Sequence, residues 1–146
     1  CLINREHFRI EDRLTQYLDV IGINEYFGWY EPGFDGLQRL LDNSSPDRPV
    51  LITETGADAK AGHHGRDDEL FTEECQARIL SEQVRISAAK AFICGIAPWL
   101  LYDFRTERRH TLFNGGFNRK GVIAEDKRTR KLGFQALADS YRRCRP

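Results

Sequence analysis

Pro49-Val50-Leu51-Ile52-Thr53-Glu54 is an apolar, β-branched run that ends in an acid and is stopped by Gly56. A short run of this kind, without polar alternation, predicts a strand of a parallel sheet buried on both faces. A second such run, Asp19-Val20-Ile21-Gly22-Ile23-Asn24, lies upstream. Between the two, an aromatic-rich loop over 25–34 precedes a short helical turn at Gly36–Leu41, which Asn43-Ser44-Ser45-Pro46 breaks. Downstream, the polar stretch Ala57 to Asp68 predicts a long loop. Thr72 offers an N-cap, and Glu73 and Glu74 stand in the first turn, where the helix dipole favours acids. The helix they open is predicted to run to about Phe92. Ile93 to Phe104 reads as a third strand, interrupted or edged at Pro98. After a Gly-, Asn- and Arg-rich loop over 105–121, an amphipathic helix over Arg128–Tyr141 offers Leu132, Phe134, Leu137 and Tyr141 for burial. Strand, loop and helix in alternation predict an α/β fold, βα units on a parallel sheet, with chemistry at the C-terminal strand ends.

Composition sets the bounds. The chain has 146 residues, 40% hydrophobic and 30% charged, and its nine Phe, five Tyr and two Trp can fill a core. These values exclude disorder as the main state. No apolar run approaches the roughly 18 residues of a membrane span. The N-terminal residues lack the order of a secretory signal, and the absence of any Met reads as a chain cut from something longer. No linker divides it, so residues 1–146 are expected to form one domain or part of one. Four cysteines, at 1, 75, 94 and 144, form no CxxC pair and are too sparse for a disulfide scaffold. Cys75 and Cys94 read as small buried hydrophobes, which fits a reducing, cytoplasmic compartment.

The net charge of zero hides a balance of +8 over residues 105–146 and −8 over residues 1–104. A basic third attracts anionic partners in principle. Its pairs Arg108-Arg109, Lys127-Arg128 and Arg142-Arg143 are not interleaved with aromatics as a nucleic-acid track would be, and are expected to solvate loops and helix faces. Neither a nucleic acid nor a membrane is expected as partner.

Glu54 carries the sharpest chemical signal. A carboxylate that closes an apolar strand is half desolvated, so its charge needs compensation. It serves as a nucleophile, a general base or a metal ligand, or it caps the strand and pairs with an arginine. The aromatics Tyr26, Trp29, Tyr30 and Trp99 also fall at strand ends, where rings stack on the C–H faces of sugars. His63 and His64, near Asp58, Asp67 and Asp68, raise a metal cluster as an alternative. Adjacent histidines in extended chain point apart, so a structural or pocket-rim role is expected and no metal or cofactor is invoked.

Five segments occur in order: Asn24-Glu25-Tyr26-Phe27-Gly28-Trp29-Tyr30; Ile52-Thr53-Glu54-Thr55-Gly56-Ala57-Asp58, with Ala61-Gly62 downstream; Phe71-Thr72-Glu73-Glu74; Asp103-Phe104-Arg105; and Asn118-Arg119-Lys120-Gly121-Val122. Together they resemble the C-terminal part of the catalytic barrel of glycoside hydrolase family 2, most like its β-glucuronidase members. The resemblance implies the later units of a (β/α)8 TIM barrel, which takes about 250 residues to close. It implies Glu54 as the nucleophile of retaining hydrolysis, Asn24, Tyr26 and Trp99 as sugar-pocket residues, and Asn118 and Lys120 as the holders of a uronate carboxylate. The family's general acid/base follows an Asn earlier in the barrel. Asn24-Glu25 has the right dipeptide in the later context, so Glu25 is expected to be a loop or pocket residue. The acid/base and the N-terminal β-domains are then expected outside this chain, which alone should be nearly inactive. The alternatives are a β-galactosidase-like member with a neutral sugar, a non-catalytic carbohydrate- or polyanion-binding module, and a half barrel whose open edges recruit a partner or a second copy.

Overall fold

In a computed structural model, the structure describes residues 1–144. A small antiparallel hairpin, β1 (Ile3–Asn4) and β2 (Arg9–Ile10), opens the chain and leads through a 3-10 turn at Arg13–Tyr17 into β3 (Ile21–Asn24). Then follow α1 (Asp35–Asp42), β4 (Val50–Thr55), α2 (Glu73–Ala88) and β5 (Ile93–Pro98). The short strands β6 (Phe104–Arg105) and β7 (Phe117–Asn118) pair antiparallel, and α3 (Leu132–Arg143) closes the chain. The strands β3, β4 and β5 form one parallel sheet in sequence order, with helices at the crossovers. This is the expected α/β arrangement.

The helices cover one face of that sheet. Ile21, Ile23, Val50 and Ile52 point into a core with Phe27, Leu37, Leu40, Leu41 and Ile86. Along β3 buried and unburied residues alternate, and Thr53 on β4 is exposed. The sequence reading of strands buried on both faces therefore fails for these residues. Only the helices' side is packed within this chain, and the opposite face, which in a closed barrel meets other strands, stands open. Cys75 is buried as expected, but Cys94 is exposed on the sheet's edge strand β5.

The Thr72 hydroxyl accepts a hydrogen bond from the Cys75 N–H at 3.1 Å and caps α2. This helix ends at Ala88, short of Phe92, because Lys90 to Phe92 turn back into β5. Similarly, α3 starts at Leu132 and not at Arg128. The Asp126 carboxylate accepts from the Arg128 and Thr129 N–H groups, and such local side-chain bonds compete with a helical turn. Phe134 and Leu137 pack against Leu80, Val122 and Ile123, whereas Leu132 stays exposed. The Tyr141 phenol donates to the Ile96 carbonyl at 2.7 Å and ties α3 to β5. Among the described residues no helix is long and apolar enough to cross a membrane.

Candidate active site

The register of β3 on β4 shifts between Ile23 and Asn24, so that Asn24 stands opposite Glu54. Irregularities of this kind re-aim a side chain at a sheet's end. The Thr53 hydroxyl donates to Asn24 Oδ1 at 2.7 Å, which turns the amide so that Nδ2 faces Glu54 Oε2 at 3.3 Å. The Tyr26 phenol donates to the other carboxylate oxygen, Oε1, at 2.7 Å. Burial, and then the carboxylate it faces, push the Tyr26 phenol well above its ordinary range, so it remains a donor. Both oxygens of Glu54 are thus held by neutral donors, on a half-buried side chain at the C-terminal end of a central strand.

Glu25 goes elsewhere. Its side chain is buried, and Oε2 accepts from the Phe27 N–H at 3.0 Å and from Gln83 Nε2, on α2, at 3.2 Å. Oε1 has no partner. Burial pushes this carboxyl up to about 7. It sits in the layer between sheet and helix, a structural position rather than a pocket one.

Gly56 follows the strand at a φ of 142°, and a Cβ there would lie 2.5 Å from the Trp99 carbonyl oxygen. Glycine thus lets Trp99 approach, and its N–H donates to the Thr55 carbonyl at 2.6 Å. The Trp99 ring is exposed and meets Phe104 edge-on at 6.3 Å.

Four residues beyond Glu54, Asp58 is fully buried among cations. Its Oδ2 accepts from the Lys120 ammonium and, at 3.2 Å, from the Arg109 guanidinium. Oδ1 accepts from the Arg119 N–H at 2.9 Å and from Asn114 Nδ2 at 3.4 Å. The Lys120 ammonium also lies over the rings of Tyr30, Trp29 and Tyr26, at 4.8, 5.2 and 5.6 Å. Only 2% of Lys120 is exposed, so a solvated loop lysine is excluded. Asn118 Oδ1 accepts the Lys120 N–H at 3.1 Å and holds that backbone in place. Beneath, Lys131 donates to Asp103 at 2.8 Å and to the carbonyls of Ala59 and Arg119, and Arg119 also pairs with Glu125.

The sequence-selected residues therefore fall into one neighbourhood. Asn24 and Tyr26 touch Glu54, Lys120 joins through the aromatic rings, Asn118 positions Lys120, and Trp99 flanks the strand end. Sequence reasoning missed Arg109, which it left among solvating charges. The guanidinium is only partly exposed and donates to Asp58 and, at 3.0 Å, to the Tyr30 phenol oxygen. The available signal was Asp58 itself: an acid between Ala57 and Ala59 after an apolar strand requires a cation. The remaining basic pairs, Lys127-Arg128 and Arg142-Arg143, are exposed. His63 lies against the Phe113 ring at 5.1 Å, and His64 accompanies Glu74 at 2.9 Å on the surface. Among the described residues no group of three or more His, Cys, Asp or Glu side chains is arranged to hold a metal ion.

Parallel βα units with a carboxylate and aromatics at the C-terminal strand ends define a barrel-type α/β site. Residues 5–144 match the family model described as "Glycosyl hydrolases family 2, TIM barrel domain", and the chain belongs to that family. It is 32% identical over 125 residues to a β-glucuronidase of Paenibacillus borealis, covering 79% of this chain and 20% of that protein. Against human β-glucuronidase the identity is 28% over 134 residues, 84% of this chain and 20% of the relative. A β-galacturonidase of the same family from Eisenbergiella tayi, solved with galacturonate, superposes with a TM-score of 0.77 at 29% identity. That match covers 90% of this chain and 25% of the solved one. The chain spans about a fifth of the length of these curated relatives.

Proposed function

We propose that this chain supplies the nucleophile side of a retaining β-glycosidase acting on β-uronides, β-glucuronides first, within a longer polypeptide. The observation that carries the reading is the Glu54 carboxylate, held open between the Tyr26 phenol and the Asn24 amide at a strand end. Neutral donors orient a carboxylate without cancelling its charge, so its lone pairs keep their nucleophilicity. Glu54 attacks the anomeric carbon, a covalent glycosyl-enzyme forms as the aglycone leaves, and water then releases the sugar. Trp99 offers an apolar ring for the sugar's C–H face, and Asn24, exposed beside the carboxylate, is within reach of a ring hydroxyl. Lys120, with Asn118 fixing its backbone, makes the pocket favourable to an anionic sugar. The uronide preference takes further support from relatives named β-glucuronidase and β-galacturonidase.

Retaining hydrolysis needs a second carboxyl group about 5–5.5 Å from the first. Glu25, buried against α2, does not serve, so the acid/base comes from another segment and this chain alone should show almost no turnover. The test is covalent trapping. The longest natural polypeptide that carries these residues is incubated with a mechanism-based 2-fluoro-glucuronide and peptide-mapped by mass spectrometry. A label on Glu54 is expected; a label on another carboxylate overturns the nucleophile assignment. Labelling by a fluoro-galactoside and not by the glucuronide would retire the uronide preference while keeping Glu54.

A further inference from the structure

We infer that Glu25 is a proton-sensitive positioning residue for Glu54: its neutral carboxyl keeps the Tyr26 phenol on the nucleophile, and its ionisation withdraws that phenol. The inference rests on the reading of Glu54 as nucleophile and adds the residue that governs how Tyr26 is held. It begins from the backbone. The Glu25 N–H donates to the Glu54 carbonyl at 2.9 Å, and the next residue, Tyr26, donates through its phenol to Glu54 Oε1 at 2.7 Å. The two neighbours straddle the strand end: Tyr26 reaches the carboxylate, and Glu25 reaches back between sheet and helix to Gln83 on α2. Gln83 seats the whole turn. Its amide nitrogen donates to Glu25 Oε2 at 3.2 Å and to the Phe27 carbonyl at 2.5 Å. The Phe27 N–H donates to the same Oε2 at 3.0 Å. The Trp29 and Tyr30 N–H groups then both reach the Tyr26 carbonyl at 3.1 Å. The turn that presents Tyr26 is thus closed over the Glu25 side chain.

This seat suits a carboxylic acid better than a carboxylate. Glu25 is 2% exposed, and its Oε1 has no partner. The groups that face it are the Gln83 amide from α2, the Thr55 hydroxyl from β4 and, from the turn between β1 and β2, the Arg5 guanidinium. Arg5 is the one cation among these, and it is already paired with Glu31 and lies over the Phe27 ring. A buried anion without a matching charge is relieved by reaching water. Of the two sides of the seat, α2 is the fixed one, packed through Ile79, Leu80, Val84 and Ile86. The turn at 25–30 buries only Glu25 and Phe27. Relief therefore comes from the turn moving outward, which takes the Tyr26 phenol off Glu54. Burial pushes the Glu25 carboxyl up to about 7, so the exchange falls in the neutral pH range.

The test is a pH ratio in the longest natural polypeptide that carries the segment. Values of kcat/KM for 4-nitrophenyl β-D-glucuronide are measured at pH 6 and pH 8 in wild type, Glu25→Gln and Glu25→Leu. Other ionising groups, the acid/base included, act alike in all three and cancel from the comparison. Glutamine mimics the neutral carboxyl at both pH values. Its ratio of pH 8 to pH 6 activity should exceed that of wild type by roughly tenfold, since a carboxyl at about 7 is about nine-tenths ionised at pH 8. A ratio within twofold of wild type overturns the inference. Glu25→Leu accepts from neither Phe27 nor Gln83 and should be the weaker enzyme already at pH 6; equal activity with Glu25→Gln there also overturns it. Hydrogen exchange at the amides of residues 27–30 reads the same turn without catalysis, and in wild type alone if a variant fails to fold. After correction for intrinsic rates, protection should drop between pH 6 and pH 8, and constant protection counts against the inference. Covalent labelling of Glu54 at pH 6 keeps the two claims apart: label present with an unshifted ratio sinks Glu25 alone, whereas label absent sinks the nucleophile reading.

Discussion

Glu54 and Asp58 are four residues apart on one strand end, and the fold treats them in opposite ways. Glu54 is half-buried and held by two neutral donors, the Tyr26 phenol and the Asn24 amide. Asp58 is fully buried and clamped by an ammonium, a guanidinium, a backbone N–H and an amide. The first arrangement aims a charge and leaves it available; the second cancels a charge and uses it to hold three loops together. Glu25 is a third case, buried with only a backbone N–H and the Gln83 amide on one oxygen. Charge compensation, more than residue type, separates an acid poised for chemistry from an acid that builds structure.

Breaking the clamp should produce the largest change in stability. Asp58→Asn leaves Lys120 and Arg109 facing each other without a counter-charge and is expected to cost about 3–5 kcal/mol. Glu54→Gln should stay within about 1 kcal/mol of wild type, since the side chain is only half-buried and the Gln amide oxygen still accepts from one of its two donors. Urea unfolding of the two variants side by side measures the contrast, and equal losses would erase the distinction drawn here.

Glu25 predicts a pH dependence. The folded chain keeps its proton up to about pH 7, while the unfolded chain releases it near the ordinary value of 4.5. The folded state therefore binds more protons across that window, and stability falls as pH rises through it. The difference amounts to about 3 kcal/mol between pH 4 and pH 8. Glu25→Gln should flatten the slope and leave the variant the more stable chain at pH 8, which unfolding midpoints at several pH values will show.

The smallest effect sharpens the comparison from the Glu54 side. Tyr26→Phe removes one donor from the carboxylate, and a hydrogen bond to a charged group is worth about 1.5–3 kcal/mol. In the longer polypeptide kcat/KM should then fall by roughly 10- to 100-fold. Unaltered kinetics would mean that the Tyr26 contact orients nothing of consequence.

Much of this was legible in the chain itself. Continuous β-branched runs at Val50–Ile52 and Val20–Ile23 marked the parallel strands, Thr72 marked a helix start, and Glu54 stood out as an acid closing an apolar strand. Element ends were less legible, because the Asp126 side chain diverts the backbone before α3 and the turn at Lys90 to Phe92 shortens α2. The burial of Lys120 and the partial burial of Arg109 were invisible locally, since their partner Asp58 lies 62 and 51 residues away in sequence.

Sequence alone determined the α/β class, the order of the three parallel strands and the three helices, and the identity of the strand-end acid, because these depend on patterns repeated within a few residues. Only the tertiary structure decided which acid is poised and which is clamped. That choice turns on the register shift that sets Asn24 against Glu54, and on the loop that brings Lys120 and Arg109 back to Asp58. Electrostatic compensation acts between side chains close in space and far apart in sequence, and no local pattern encodes it.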